Sequence, residues 1–144
     1  MDTALWRARA RCDELGIKWT ALREQVFRQI AASHKPVSAY DLIEDLAKGG
    51  KRLAPVSLYR ILDVLQHAGL VHRLESRNAF LACARPHDSG AVVAFLICEK
   101  CGTVGEAPAG GIMQSVAAAA KSMGFTAKLS VIEVTGLCAH CRNA

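Results

Sequence analysis

The chain has 144 residues, enough for one domain or two small ones, and 51% are hydrophobic against 22% charged, a balance that excludes a disordered chain. Its net charge of +5 is modest and uneven: residues 1–83 carry 13 Lys/Arg against 9 Asp/Glu, and residues 84–144 carry 5 against 4. That balance is compatible with a phosphate-backbone partner in the first half but does not require one.

Arg7, Arg9 and Arg11 near the start are followed by no apolar run, so neither a signal peptide nor a membrane anchor is expected. No stretch approaches the roughly 20 apolar residues that span a bilayer. The expected compartment is the cytoplasm, where thiols stay reduced, and the six cysteines therefore point to metal ligation before disulfides.

Leu5, Ala8, Cys12 and Leu15 form one stripe of an amphipathic helix that Gly16 ends, with Cys12 a buried small apolar residue on it. Thr20 offers an N-cap, with Glu24 nearby, to a second helix running to about Ser33 through Leu22, Val26 and Ile30. Arg23 sits in its first turn, where either a phosphate contact or a solvated surface arginine fits. His34-Lys35-Pro36 breaks the chain, Ser38 caps a third helix from Tyr40 to about Ala47, and Gly49-Gly50 ends it.

A fourth helix begins near Val56 after Pro55, with Leu58, Ile61, Leu62 and Leu65 on its apolar face and Gly69 at its end. Ser57, Tyr59, Arg60 and Asp63 point elsewhere. Two helices joined by a short loop, the second opening with hydroxyls and an arginine, suit a helix-turn-helix, in which that segment meets base edges in the major groove. An ordinary three-helix bundle with a surface arginine fits the same pattern.

Leu70 to Glu75 and Asn78 to Cys83 read as a hairpin around Ser76-Arg77, a wing behind those helices. A two- or four-residue loop puts His72 and Cys83 on one face, where they can form half of a metal site; a three-residue loop separates them. Residues 84–90, including His87 and Asp88, read as a flexible connection.

The remainder reads as β-β-α-β: a strand from Val92 into Cys98, a return strand over residues 103–106, and a helix after Gly110-Gly111. That helix carries Ile112, Val116, Ala119, Ala120 and Met123 on one face, and a strand-like run from Phe125 to Val134 follows. Cys98-x-x-Cys101 and Cys138-x-x-Cys141 bracket it, two turns that can complete a tetrahedral four-sulfur zinc site. Two local disulfides or a redox dithiol are the competing readings. No nucleophile motif or Gly-rich pocket accompanies these residues, so no enzyme is expected.

With these residues assembled, the sequence resembles the ferric uptake regulator family, and within it the zinc uptake regulators. The landmarks are Ser38-Ala39-Tyr40-Asp41-Leu42, Leu58-Tyr59-Arg60-Ile61-Leu62, residues 69–76 (Gly-Leu-Val-His-Arg-Leu-Glu-Ser), and Phe95-Leu96-Ile97-Cys98 through Cys101-Gly102. The resemblance implies an α+β chain: a winged helix-turn-helix DNA-binding domain (1–83), a hinge (84–91) and a small α/β dimerisation and metal-binding domain (92–144).

It implies two zinc ions per chain. The structural one is held by Cys98, Cys101, Cys138 and Cys141, and the regulatory one by His72, Cys83, His87 (or Asp88) and Glu106. Tyr59 and Arg60 match the family's DNA-reading pair, and Ser57 and Arg23 are further candidate DNA contacts. The function implied is a homodimeric, zinc-responsive repressor of zinc-uptake genes acting on double-stranded operator DNA, with no membrane or other small-molecule partner. An iron- or manganese-responsive regulator, or a thiol redox sensor, is the alternative. A thiolate with two imidazoles and a carboxylate suits tetrahedral zinc, which makes Cys83 the discriminating ligand. His34, His67 and His140 are expected at the surface.

Overall fold

A computed structural model describes residues 2–83, 92–127 and 130–143. The chain divides into two compact units, Met1–Ser89 and Gly90–Ala144.

The first unit holds α1 (Asp2–Glu14), α2 (Ala21–Ala32), β1 (Val37–Ser38), α3 (Ala39–Lys48), α4 (Pro55–His67), β2 (Val71–Leu74) and β3 (Ala79–Ala82). Leu5, Ala8 and Cys12 are buried as their spacing predicts, but Leu15 is 39% exposed because α1 stops at Glu14 and Gly16 turns the chain with φ +70°. The Thr20 hydroxyl oxygen accepts from the Arg23 N–H at 3.2 Å, and the Ser38 hydroxyl from the Asp41 N–H at 3.0 Å, so both expected caps are made.

The apolar stripe of α4 is fully used. Leu58, Leu62 and Leu65 are 0% exposed and Ile61 8%, packed with Val26, Ile30, Leu42 and Leu46 in one core. Each such side chain contributes about 1.5–3 kcal/mol by leaving water. The helix ends in a Schellman motif: Gly69 N–H donates to Gln66 O at 2.9 Å and Leu70 N–H to Leu65 O at 3.0 Å, with Gly69 at φ +73°. That reversal feeds the chain directly into β2, which is how the wing is hung on the helix.

In the wing, β2 and β3 pair antiparallel with His72 opposite Leu81 and Leu74 opposite Ala79. The strands are shorter than the sequence runs suggest, and four residues, 75–78, make the loop, with Asn78 at φ +46°. Strand β1, two residues long and absent from the sequence reading, pairs with the outer edge of β3, giving the order β1-β3-β2.

The second unit holds β4 (Val93–Cys98), β5 (Val104–Pro108), α5 (Gly110–Ser122), β6 (Ile132–Gly136) and α6 (Ala139–Arg142). Its sheet has the order β5-β4-β6, with β5 antiparallel and β6 parallel to the central strand. The strand expected over 125–134 is shorter and later, at Ile132–Gly136, which pairs with β4, while Phe125 is 66% exposed. Helix α5 has the expected apolar face, but no residue of it is buried.

Candidate metal centres and nucleic-acid interface

The first cysteine pair lies at the end of β4 and in the turn that follows; the second lies around the start of α6. Parallel pairing of β4 with β6 sets Cys98 opposite Gly136 and brings the two turns together. The four sulfurs of Cys98, Cys101, Cys138 and Cys141 all lie within 4.8 Å of one another. Cys101 Sγ and Cys138 Sγ are 3.8 Å apart, and two sulfurs at tetrahedral positions about 2.3 Å from one zinc ion are separated by about 3.8 Å. No disulfide joins Cys98, Cys101, Cys138 or Cys141. The donor set and its spacing fit zinc.

Main-chain groups shape each turn. The Cys101 N–H donates to Cys98 Sγ at 3.5 Å and the Cys141 N–H to Cys138 Sγ at 3.4 Å. Cys98 N–H donates to Thr103 O at 2.9 Å, closing the first knuckle. These contacts split the acidities. Hydrogen bonds from the Cys101 and Cys138 backbone bring Cys98 down to about 6, while burial pushes Cys141 up to about 12. Hydrogen bonds from Thr103, side chain first, lower Cys101. Four converging sulfurs cannot all ionise against one another, so full deprotonation needs a cation among them.

The wing carries a second pair of soft donors. The observed register makes His72 and Cys83 diagonal neighbours on one face, because Cys83 continues the ladder with its N–H donating to Leu70 O at 2.9 Å. A ring nitrogen of His72 and the Cys83 sulfur lie within 4.8 Å of each other, both half-buried. Glu106 sits in the second unit, half-buried on β5 and opposite Phe95 of β4. His87 and Asp88 lie outside the described residues.

On α4, Ala54 at the N-cap supplies no side-chain oxygen, and Pro55 occupies the first turn. Tyr59 is 39% exposed and Arg60 is exposed, both turned away from the core stripe, and Ser57 is half-buried at the stripe's flank. Arg23 is half-buried, and its guanidinium donates to Lys18 O, which fixes it near the start of α2. His34, His67 and His140 are exposed and Cys12 is buried, as expected. Thr103 escaped the sequence reading as a site residue; a hydroxyl residue two positions past a ligand cysteine was its only signal.

The model describing the ferric uptake regulator family matches residues 14–135, from the end of α1 to the last strand. The chain belongs to that family. Among its relatives is the zinc uptake regulation protein of Escherichia coli strain K12, 35% identical over 130 residues that cover 90% of this chain and 76% of that protein. Crystalline holo XcZur is 38% identical, covers 99% of each chain and superposes with a TM-score of 0.88. A zinc uptake regulator complexed with zinc and DNA is 33% identical, covers 99% of this chain and 95% of its own, and gives a TM-score of 0.92. The winged helix-turn-helix expectation for this family member therefore stands, with α3 and α4 as the helix pair and β2–β3 as the wing.

Proposed function

We propose that this chain is a zinc-responsive, DNA-binding transcriptional repressor of zinc-uptake genes, acting on double-stranded operator DNA as a homodimer in the cytoplasm. The observation that carries the reading is likeness along nearly the whole chain to a zinc uptake regulator held with zinc and DNA. It acts by binding and release, not as an enzyme.

Two zinc ions per chain are part of the proposal. Cys98, Cys101, Cys138 and Cys141 hold the structural one, where four thiolates leave no open coordination position. His72, Cys83, His87 and Glu106 hold the regulatory one. What supports this second set is its chemistry: a thiolate and imidazole adjacent on one face of the wing, and a half-buried carboxylate on β5 of the other unit. The domain limits follow the same logic, with residues 1–83 binding DNA, 84–91 connecting, and 92–144 dimerising.

Ligands drawn from both units, engaged together on one ion, restrict the units to one relative orientation. In a dimer that orientation sets the spacing of the two copies of α4, which must meet half-sites roughly 34–36 Å apart. Zinc favours the DNA-competent arrangement only by binding it more tightly, and DNA must tighten zinc binding by the same factor. Tyr59 and Arg60 read base edges in this scheme, while Ser57 and Arg23 serve phosphates.

Dimerisation is supported by the surface of the second unit. Ile112, Val116 and Met123 on α5 are 52%, 46% and 79% exposed, and Leu96, Val134 and Leu137 are each about half exposed beside the cysteine cluster. An apolar face of that extent on a thin core calls for cover.

The test is DNA binding by His72→Ala and Cys83→Ser with and without added zinc. Both variants are expected to fold, to keep their structural zinc and to lose zinc-dependent affinity. If both bind as tightly and as zinc-dependently as the parent chain, the regulatory site lies elsewhere.

A further inference from the structure

The four cysteines of the clamp are not equally protected. Cys98 and Cys141 are 3% and 7% exposed, whereas Cys101 and Cys138 are half-buried. Any competing ligand therefore reaches Cys101 or Cys138 first. Cys101 has a side-chain hydroxyl against it: its sulfur lies 3.1 Å from Thr103 Oγ1. With a protonated sulfur the S–H donates to that oxygen; once the sulfur is a thiolate, the threonine O–H turns and donates to it instead.

We propose that Thr103 is a positioning residue of the structural zinc site, whose hydroxyl caps the accessible Cys101 thiolate and slows release of the metal. The proposal rests on the four-cysteine reading and adds to it a residue outside the ligand set. Two features favour it. The Thr103 carbonyl already accepts from the Cys98 N–H at 2.9 Å, which holds the residue in place and pre-aims the hydroxyl. Thr103 is also exposed, so its hydroxyl has water available and is not forced onto sulfur by burial. A hydrogen bond to a metal-bound thiolate draws off charge that would attract a competing Lewis acid, and partners beyond the ligands commonly govern metal retention in this way.

The consequence bears on sensing. A chain that uses one kind of ion in two places must keep one ion while exchanging the other. A cap on one of the two accessible cysteines of the fixed site separates the two exchange rates without altering the ligands.

The experiment is zinc transfer from the full-length holo protein to a coloured chelator, following the slow phase, for the parent chain, Thr103→Val and Thr103→Ser. Valine keeps the branched shape and loses the O–H; serine keeps the O–H. The slow phase is expected to quicken about three- to ten-fold in Thr103→Val, the scale of one ordinary hydrogen bond at an exposed position, and to stay within two-fold in Thr103→Ser. Cobalt(II) in the same site gives a second readout, since loss of the hydrogen bond moves the sulfur-to-metal charge-transfer band to lower energy. A purely structural role would not move that band.

Equal rates for valine and parent, or equal acceleration by serine and valine, overturn the role of Thr103 while leaving the clamp intact. Absence of a slowly released zinc in the parent, or its survival in Cys98→Ser, overturns the four-cysteine reading and this proposal with it. Should the valine variant fail to fold, Thr103→Ala against Thr103→Ser supplies the same contrast.

Discussion

Glu24 joins three donors at once. Its carboxylate accepts from Arg9 at 2.5 Å, from the Trp19 indole N–H at 2.9 Å and from Arg28 at 3.0 Å, tying α1, the α1–α2 connection and α2 together. Those donors, Arg9 first, hold it down at about 2 against an ordinary value of 4.5. A depressed carboxylate contributes stability that is fully present above about 4.5 and is lost as pH falls through that value toward about 2. Glu24→Gln should therefore lower Tm at neutral pH and flatten the fall of Tm across that acid window. An unchanged pH profile would remove Glu24 from the account of acid stability. Arg60 is a different case: it is exposed and outside the core, so Arg60→Ala should leave Tm within a degree or two. Loss of a base contact should weaken specific operator binding by about 1–3 kcal/mol, measured against an unrelated duplex. Weakening of both duplexes alike would make Arg60 a phosphate contact instead.

Elements differ in how plainly the sequence declares them. Helix α4 was legible because Leu58, Ile61, Leu62 and Leu65 repeat at the helical period, and all four are buried. Leu62→Ala should cost about 2–5 kcal/mol by chemical denaturation, since a fully enclosed leucine leaves a cavity that the core closes only in part. The wing was legible as a hairpin, but its loop length, and so the pairing of His72 with Leu81, needed the structure. Strand β1 and the true extent of β6 were not legible, because pairing and capping decide them: two residues suffice for β1 once β3 presents an edge, while Phe125, for all its strand propensity, closes the end of α5 with its N–H on Ala120 O at 2.8 Å. Helix α5 shows the converse limit. Its apolar stripe was visible, but period alone cannot say whether a face is covered by its own chain or by another. If a second copy covers it, Val116→Glu should shift the protein from dimer to monomer by sedimentation while the second unit keeps its zinc. A dimer of unchanged mass would place the interface elsewhere.

For the whole molecule, the candidate sites were legible in proportion to how local their signal is. The two Cys-x-x-Cys turns announce themselves, and parallel pairing of β4 with β6 delivers them to one point. The His72–Cys83 pair depends on register, and Thr103 on a single contact that no spacing encodes. In the proposal these parts divide the labour: the four-sulfur clamp serves the fold of the second unit, and the site that includes His72 and Cys83 would alter DNA affinity when filled. Zinc, among the metals of the cell, is the ion proposed to control that affinity. The direct measurement is operator binding by the protein holding only its structural zinc, titrated with Zn²⁺, Fe²⁺ or Mn²⁺ at buffered free concentrations. Zn²⁺ should restore binding at sub-micromolar free ion, and the other two should fail at any concentration at which zinc acts, as a site with a thiolate and imidazoles requires. Restoration by Fe²⁺ or Mn²⁺ at equal or lower free concentration, or full binding with no added metal, would contradict it.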